Sequence, residues 1–286
     1  MSSLYIVIPA YNESENIEKT IDQWYPVVER HNDEGNSRLV IINDGSKDNT
    51  YELLQKCAAT RPLLVPLDKP NGGHGPTVLY GYRYAIRQKA DYIFQTDSDG
   101  QTNPDEFEPF WNQRGRYDAI IGSRAVRGDG KSRKFVENVV CFLLRMIFGV
   151  KVSDANAPYR LMKSSLVAKY IDKLPEDFNI PNIMFTTYFV HYKEKVKFIE
   201  ITFKPRQGGT NSINVKKIVK IGWKAVKDFY KLKKELSGLA FPVTSDFAMY
   251  IRKPRILGAV LVEARSMTYG DLGAKAFLSV LVSVSH

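Results

Sequence analysis

Short apolar runs recur through the first 125 residues, each closed by polar or glycine-rich positions and followed by a stretch with helical spacing. Tyr5–Pro9 is apolar without interruption, the pattern of a strand covered on both faces rather than on one. The spacing then predicts a helix from Glu13 to Arg30, with Asn12 or Ser14 as its N-cap. Leu39–Asn43 reads as a second strand, Asn49–Thr60 as a helix and Leu63–Leu67 as a third strand. Pro76–Ala90 follows as a helix with proline in its first turn, where the missing N–H costs nothing. Tyr92–Gln95 and Ala119–Ile121 complete five strands. Strictly alternating strands and helices predict an α/β fold: a doubly wound, mostly parallel sheet with helices on both faces.

Beyond this half the pattern loosens. Arg127–Arg160 mixes a basic, glycine-containing loop with an apolar helix around Val139–Phe148, Ile199–Phe203 reads as a strand, and Arg206–Gly209 as a loop. Residues 213–236 read as a basic amphipathic helix carrying eight lysines against Asp228 and Glu235. From Ser237 charges thin out and short apolar runs lie among scattered glycines and prolines. The expected organisation is an α/β domain over 1–212, the basic helix over 213–236, and a tail over 237–286 with no assigned role.

Composition narrows the classes. A chain of 286 residues with 44% hydrophobic content can bury one large core plus an appendage. Its net charge of +10 points to anionic partners. Cys57 and Cys141 stand far apart, in the manner of reduced thiols in a cytoplasmic protein. The four histidines show no metal-ligand spacing, which argues against a zinc enzyme. No signal-peptide pattern precedes the first strand, and no apolar run approaches the roughly 18 residues of a membrane span.

Ligands of doubly wound sheets bind beyond the carboxyl ends of the strands. Those ends carry Pro9-Ala10-Tyr11-Asn12-Glu13, Asn43-Asp44-Gly45-Ser46, Asn71–Gly75 and Asp97-Ser98-Asp99-Gly100-Gln101. Two carboxylates and an amide at the fourth strand's end are the donor set of a hard divalent cation, and such a cation stabilises charge building on a departing diphosphate. The plain alternative is an Asp-rich turn with Gly100 at positive φ. Asp44 could accept a hydrogen bond from a nucleotide base, or merely cap a turn; Asp48 reads as structural. Glycines 72, 73 and 75 let backbone amides approach an anion at a helix N-terminus, although no Gly-Lys-Ser/Thr follows and His74 reads as a loop residue.

Together the segments IPAYNE, NDGSKDNT, NGGHG and TDSDGQ, with GSR at Gly122–Arg124 and DANAPYRLMK from Asp154, resemble the inverting family-2 glycosyltransferases of the GT-A fold. The DxDxQ and the later Asp–Pro–Tyr–Arg segment are most similar to the polyprenyl-phosphate branch, and the likeness spans about residues 4–230. The resemblance implies that Pro9, Ala10, Tyr11, Glu13 and Ser98 border the donor nucleotide, with Asp44 on its base. It implies that Asp97, Asp99 and Gln101 hold Mg²⁺ or Mn²⁺, and that Arg124, Arg133 and Arg206 face phosphates, a task suited to the guanidinium fork. Each arginine could instead be a surface charge. Asp154, Asp99 and Arg124 would carry the chemistry.

The implied partners are a UDP- or GDP-sugar and a polyprenyl phosphate, with a glycan hydroxyl as the alternative acceptor. A hydroxyl needs a base such as Asp154, whereas a phosphate monoester is already largely ionised, its second pKa being about 6. His74 departs from the lysine or leucine of many relatives, and the two membrane spans of some bacterial members have no counterpart. The 213–236 helix could lie on an anionic bilayer, or pack its apolar stripe on the domain with its lysines in water. The expected location is cytoplasmic, at the inner face of a membrane. Nucleic acid is not an expected partner, since no zinc-finger, RNP or helix-turn-helix signature accompanies the lysines.

Overall fold

The structure, a computed structural model, describes residues 2–33, 35–127 and 131–204. The basic 213–236 segment, the 237–286 tail and Arg206 lie outside these residues. Seven strands form one sheet: β1 (Leu4–Ala10), β2 (Arg38–Asp44), β3 (Leu64–Lys69), β4 (Tyr92–Gln95), β5 (Ala119–Arg127), β6 (Arg160–Lys163) and β7 (Val196–Phe203). Their order is β3-β2-β1-β4-β6-β5-β7. β6 runs antiparallel to both its neighbours, while the other pairings are parallel.

The uninterrupted apolar run of the first strand has the expected cause, because all seven residues of β1 are buried between two helical layers. On one face α1 (Ile17–Arg30) and α2 (Thr50–Ala58) join Leu4, Ile6, Ile8, Phe94 and Tyr159 in a core that also takes in Phe107, Phe110 and Trp111. Phe94 is its hub, meeting Trp24 at 5.2 Å and the rings of Phe107 and Tyr159 edge-on at 5.0 and 4.7 Å. On the other face lies α3 (His74–Arg87). A Cβ on Gly81 would come within 2.4 Å of the Val7 side chain, so α3 can approach the sheet this closely only with glycine there. The short α4 (Glu108–Trp111), α6 (Ser164–Ile171) and α7 (Pro181–His191) complete this unit.

α5 (Lys131–Phe148) belongs to a second compact unit and begins eight residues before the apolar stretch that predicts it. Among the described residues no helix is long and apolar enough to cross a membrane. Cys57 is a buried free thiol, and Cys141 is half-buried.

Two features depart from the sequence reading. α1 starts at Ile17, not Glu13, and neither Asn12 nor Ser14 caps it. Asn12 takes a positive φ of 53° and its Oδ1 accepts from the Lys47 amide, so the segment is committed to a loop contact. β6, α6 and α7 were not anticipated. In α7 every residue from Pro181 to Phe189 is buried, which removes the amphipathic stripe by which a helix is read from sequence.

Candidate active site at the carboxyl edge of the sheet

The strand order reverses at β1, whose neighbours are β2 and β4, and such a switch point opens a crevice beyond the strand ends. The Pro9–Glu13 and Asp97–Gln101 segments leave β1 and β4 side by side there. Asp97 stands at the centre. Its Oδ1 accepts from His74 Nε2 at 3.0 Å and from Gln95 Nε2 at 3.1 Å. A carboxylate can only accept, so the proton of the imidazole lies on Nε2. Desolvation opposes the charged imidazolium, but Asp97, with Asp99 and Asp44 behind it, outweighs this and raises the His74 pKa. His74 thus lies on the first turn of α3, bonded to Asp97, and not in a loop.

Asp99 accepts from the Gln101 amide at 3.2 Å across a turn in which Gly100 has φ of 70°. Gln101 is buried and donates from Nε2 to the carbonyl of Lys204 at 2.9 Å, tying the turn to the end of β7. Ser98 is buried as well, its carbonyl accepting from Thr20.

Asp44 organises the glycine loop. Its Oδ1 accepts from Lys69 Nζ at 2.5 Å and Gly72 N at 2.8 Å, and its Oδ2 from Gly73 N at 2.9 Å. Asn71 Nδ2 adds a bond to the Asp44 carbonyl at 2.8 Å. Gly45 is required here, since φ is 61° and a Cβ would lie 2.7 Å from Asn71 N. Asp48 has the structural role expected of it, accepting from Ser14 N, Thr50 N and Thr50 Oγ1. Glu13 is buried, with Asn16 donating to its carboxylate at 2.9 Å. Pro9 and Ala10 are buried at the end of β1, and Tyr11 is exposed above them.

On the far side of β4, Arg124 and Asp154 meet in a two-pronged ion pair, Nε to Oδ2 at 2.6 Å and Nη2 to Oδ1 at 2.8 Å, with both side chains buried. The amides of Arg124 and Asn156 also donate to this carboxylate. The Arg124 guanidinium stands 5.1 Å from the Phe203 ring centre. Two residues given separate roles in sequence are thus one unit in the fold. Arg133 falls in α5, in the second compact unit.

The donor set fits a hard divalent ion. Among the described residues no donor bonds Asp97 Oδ2, while Gln95 and His74 fix the other oxygen. No group of three or more His, Cys, Asp or Glu side chains among the described residues could hold a metal ion by itself, so a two-carboxylate site would need phosphate oxygens to fill its shell. Sequence reasoning missed Lys69, His74, Gln95 and Arg160. The proline and glycines after Lys69 hinted that its side chain would turn back on the loop; Arg160 stood in the quoted Asp–Pro–Tyr–Arg segment without a role of its own, and nothing local marks Gln95.

Known proteins share this sequence pattern and this fold. Residues 5–171 match the family model described as Glycosyl transferase family 2. The chain is 24% identical over 216 residues to an undecaprenyl-phosphate mannosyltransferase of Micrococcus luteus, covering 73% of this chain and 86% of that one. It is 38% identical over 106 residues to a dolichyl-phosphate beta-glucosyltransferase of Trichomonas vaginalis, an alignment covering 36% of this chain and only 31% of the relative. Glucosyl-3-phosphoglycerate synthase from Mycobacterium tuberculosis, solved with Mn²⁺, uridine diphosphate and phosphoglyceric acid, shares the fold at a TM-score of 0.59 and 14% identity, covering 81% of this chain and 78% of that one.

Proposed function

The chain belongs to glycosyl transferase family 2, and from that premise we propose that it moves a sugar from a UDP- or GDP-sugar to a polyprenyl phosphate with inversion, assisted by Mg²⁺ or Mn²⁺. One observation carries the reading: Asp97 and Asp99 leave the sheet at its switch point, beside the glycine loop and His74. Asp97 and Asp99, with Gln101 beside them, would hold the ion, which would offset the charge developing on the leaving diphosphate. Pro9, Ala10, Tyr11, Glu13 and Ser98 would border the nucleoside. Asp44 would present the Gly72–Gly73 turn to the donor; three of a carboxylate's roughly four acceptor positions are used in doing so, which leaves one for a base N–H.

The acceptor reading is supported by Asp154. Its oxygens are taken up by Arg124 and two backbone amides, a poor arrangement for removing a proton from a hydroxyl. A phosphate acceptor needs no such base, only cations to orient it, for which Arg124 and Arg206 are the proposed candidates. The named relatives that use dolichyl or undecaprenyl phosphate lend the same direction.

The test is a thermal-shift panel of UDP- and GDP-sugars with and without Mn²⁺. The true donor at a hundred times its Kd should add about 2.7 kcal/mol of stability, and EDTA should remove the effect. Asp97→Asn should lose the Mn²⁺-dependent part. If no sugar nucleotide raises the melting temperature, the proposal falls.

A further inference from the structure

Behind Asp97 a buried polar chain runs into the interior. Gln95, fully buried on β4, donates from Nε2 to Asp97 and accepts at Oε1 from Asn182 Nδ2 at 3.0 Å. Asn182 is 2% exposed, and its Oδ1 accepts a long bond of 3.4 Å from the Tyr82 hydroxyl. The polarity of this chain is forced. Asp97 as a carboxylate can only accept, so Gln95 must turn its NH₂ outward and its oxygen inward. Asn182 must then offer its own NH₂ to Gln95. Neither amide can flip without facing like against like.

The backbone of Asn182 is held just as firmly. Its carbonyl accepts from Arg160 Nη1 at 3.0 Å and from Thr186 Oγ1 at 2.8 Å. Arg160 is fully buried and also grips the Ala157 carbonyl through Nε and Nη2, at 3.1 and 2.8 Å. Pro181 opens α7 immediately before Asn182 and restricts the chain further.

We propose that Asn182 is a positioning residue for the metal site: by holding Gln95 with its NH₂ toward Asp97, it engages Oδ1 and turns Oδ2 to the ion. This rests on the reading of Asp97 as a metal ligand. Outer-shell partners of ligating carboxylates typically change metal affinity by about 10–100-fold when removed. Asn182→Leu removes the donor to Gln95 at similar volume, which leaves the buried Oε1 of Gln95 without a partner and frees its side chain to shift away from Asp97 Oδ1.

The experiment measures free Mn²⁺ by electron paramagnetic resonance during titration of the full chain, with UDP at fixed concentration and GDP in a second series. Asn182→Leu should weaken Mn²⁺ binding about tenfold or more, and Gln95→Met should do the same. The double variant should bind no worse than Gln95→Met alone, because the route from Asn182 to the ion is already cut. A merely structural role would instead lower the melting temperature and leave Mn²⁺ affinity unchanged, or give losses that add in the double variant; either overturns the proposal. If wild type binds no Mn²⁺ with either nucleotide, the metal reading itself fails and this one with it. If wild type binds and Asn182→Leu matches it, only the positioning role is lost. Where Asn182→Leu does not fold, Asn182→Ala is judged by the same criteria.

Discussion

Arg124 and Asp154 show what a residue means once it is paired. Removing one partner of a buried ion pair strands the other charge away from water. Arg124→Met should therefore cost about 3–5 kcal/mol, read as a lower urea midpoint at unchanged slope. Asp154→Asn should cost a similar amount, since its one oxygen serves only one prong, its NH₂ faces N–H donors and the Arg124 charge is left unpaired. In transfer assays Asp154→Asn should retain measurable turnover with a polyprenyl phosphate acceptor; near-total loss would favour a hydroxyl acceptor and a true base. Asp48 offers a pH test. Burial opposes its ionisation, but the hydrogen bonds from Thr50 and Ser14 outweigh that and lower its folded pKa below the ordinary 3.8. A depressed carboxylate adds stability that is complete above the unfolded pKa and disappears as pH falls through the folded one. The urea-midpoint gap between wild type and Asp48→Asn should hold from about pH 7 to 5 and close below about pH 4. Asp44, Asp97 and Asp99 were legible as residues because they follow strands. That Asp44 would spend its carboxylate on Lys69 and two glycine amides was not, since no local pattern encodes a contact across 25 or more residues.

At the scale of elements, the first turn of α3 is where the site is most tightly built. A Cβ at Gly75 would lie 2.3 Å from the Phe178 carbonyl oxygen and 2.5 Å from the Asn179 carbonyl, backbone that cannot swing aside like a side chain. Gly75→Ala should push the 178–179 segment away, cost about 1–3 kcal/mol, and weaken sugar-nucleotide binding in the same thermal-shift panel. The helix is visible in the sequence, but it begins two residues earlier than Pro76 suggests, and those two residues carry His74 into the site. β1, β2 and β4 were readable because covered parallel strands are largely apolar, whereas β3, a half-buried edge strand, was readable from the short apolar run that opens it. β6 was not: it is four residues long, opens with a buried arginine, and owes its place in the sheet to β4 and β5 on either side.

For the whole molecule, the proposed lipid-borne acceptor raises the question of how a basic chain would meet it. Eight of the lysines lie within residues 213–236, and polybasic segments gain about 1 kcal/mol per Lys near an anionic surface. The full chain should float with vesicles rich in anionic lipid, ignore neutral ones, and release at about 0.5 M salt, where the Debye length is under 5 Å. Flotation indifferent to lipid charge would remove electrostatics from the account. By itself the sequence determined the alternation of covered strands and helices, and therefore which loops gather at one edge, because hydrophobic period and strand direction are local and additive properties. Only the tertiary structure decided that Arg124 closes on Asp154, that His74 and Gln95 share one oxygen of Asp97, and that a buried asparagine stands behind them. Those pairings depend on which distant polar groups are shut away from water together, and burial of that kind is a property of the folded whole.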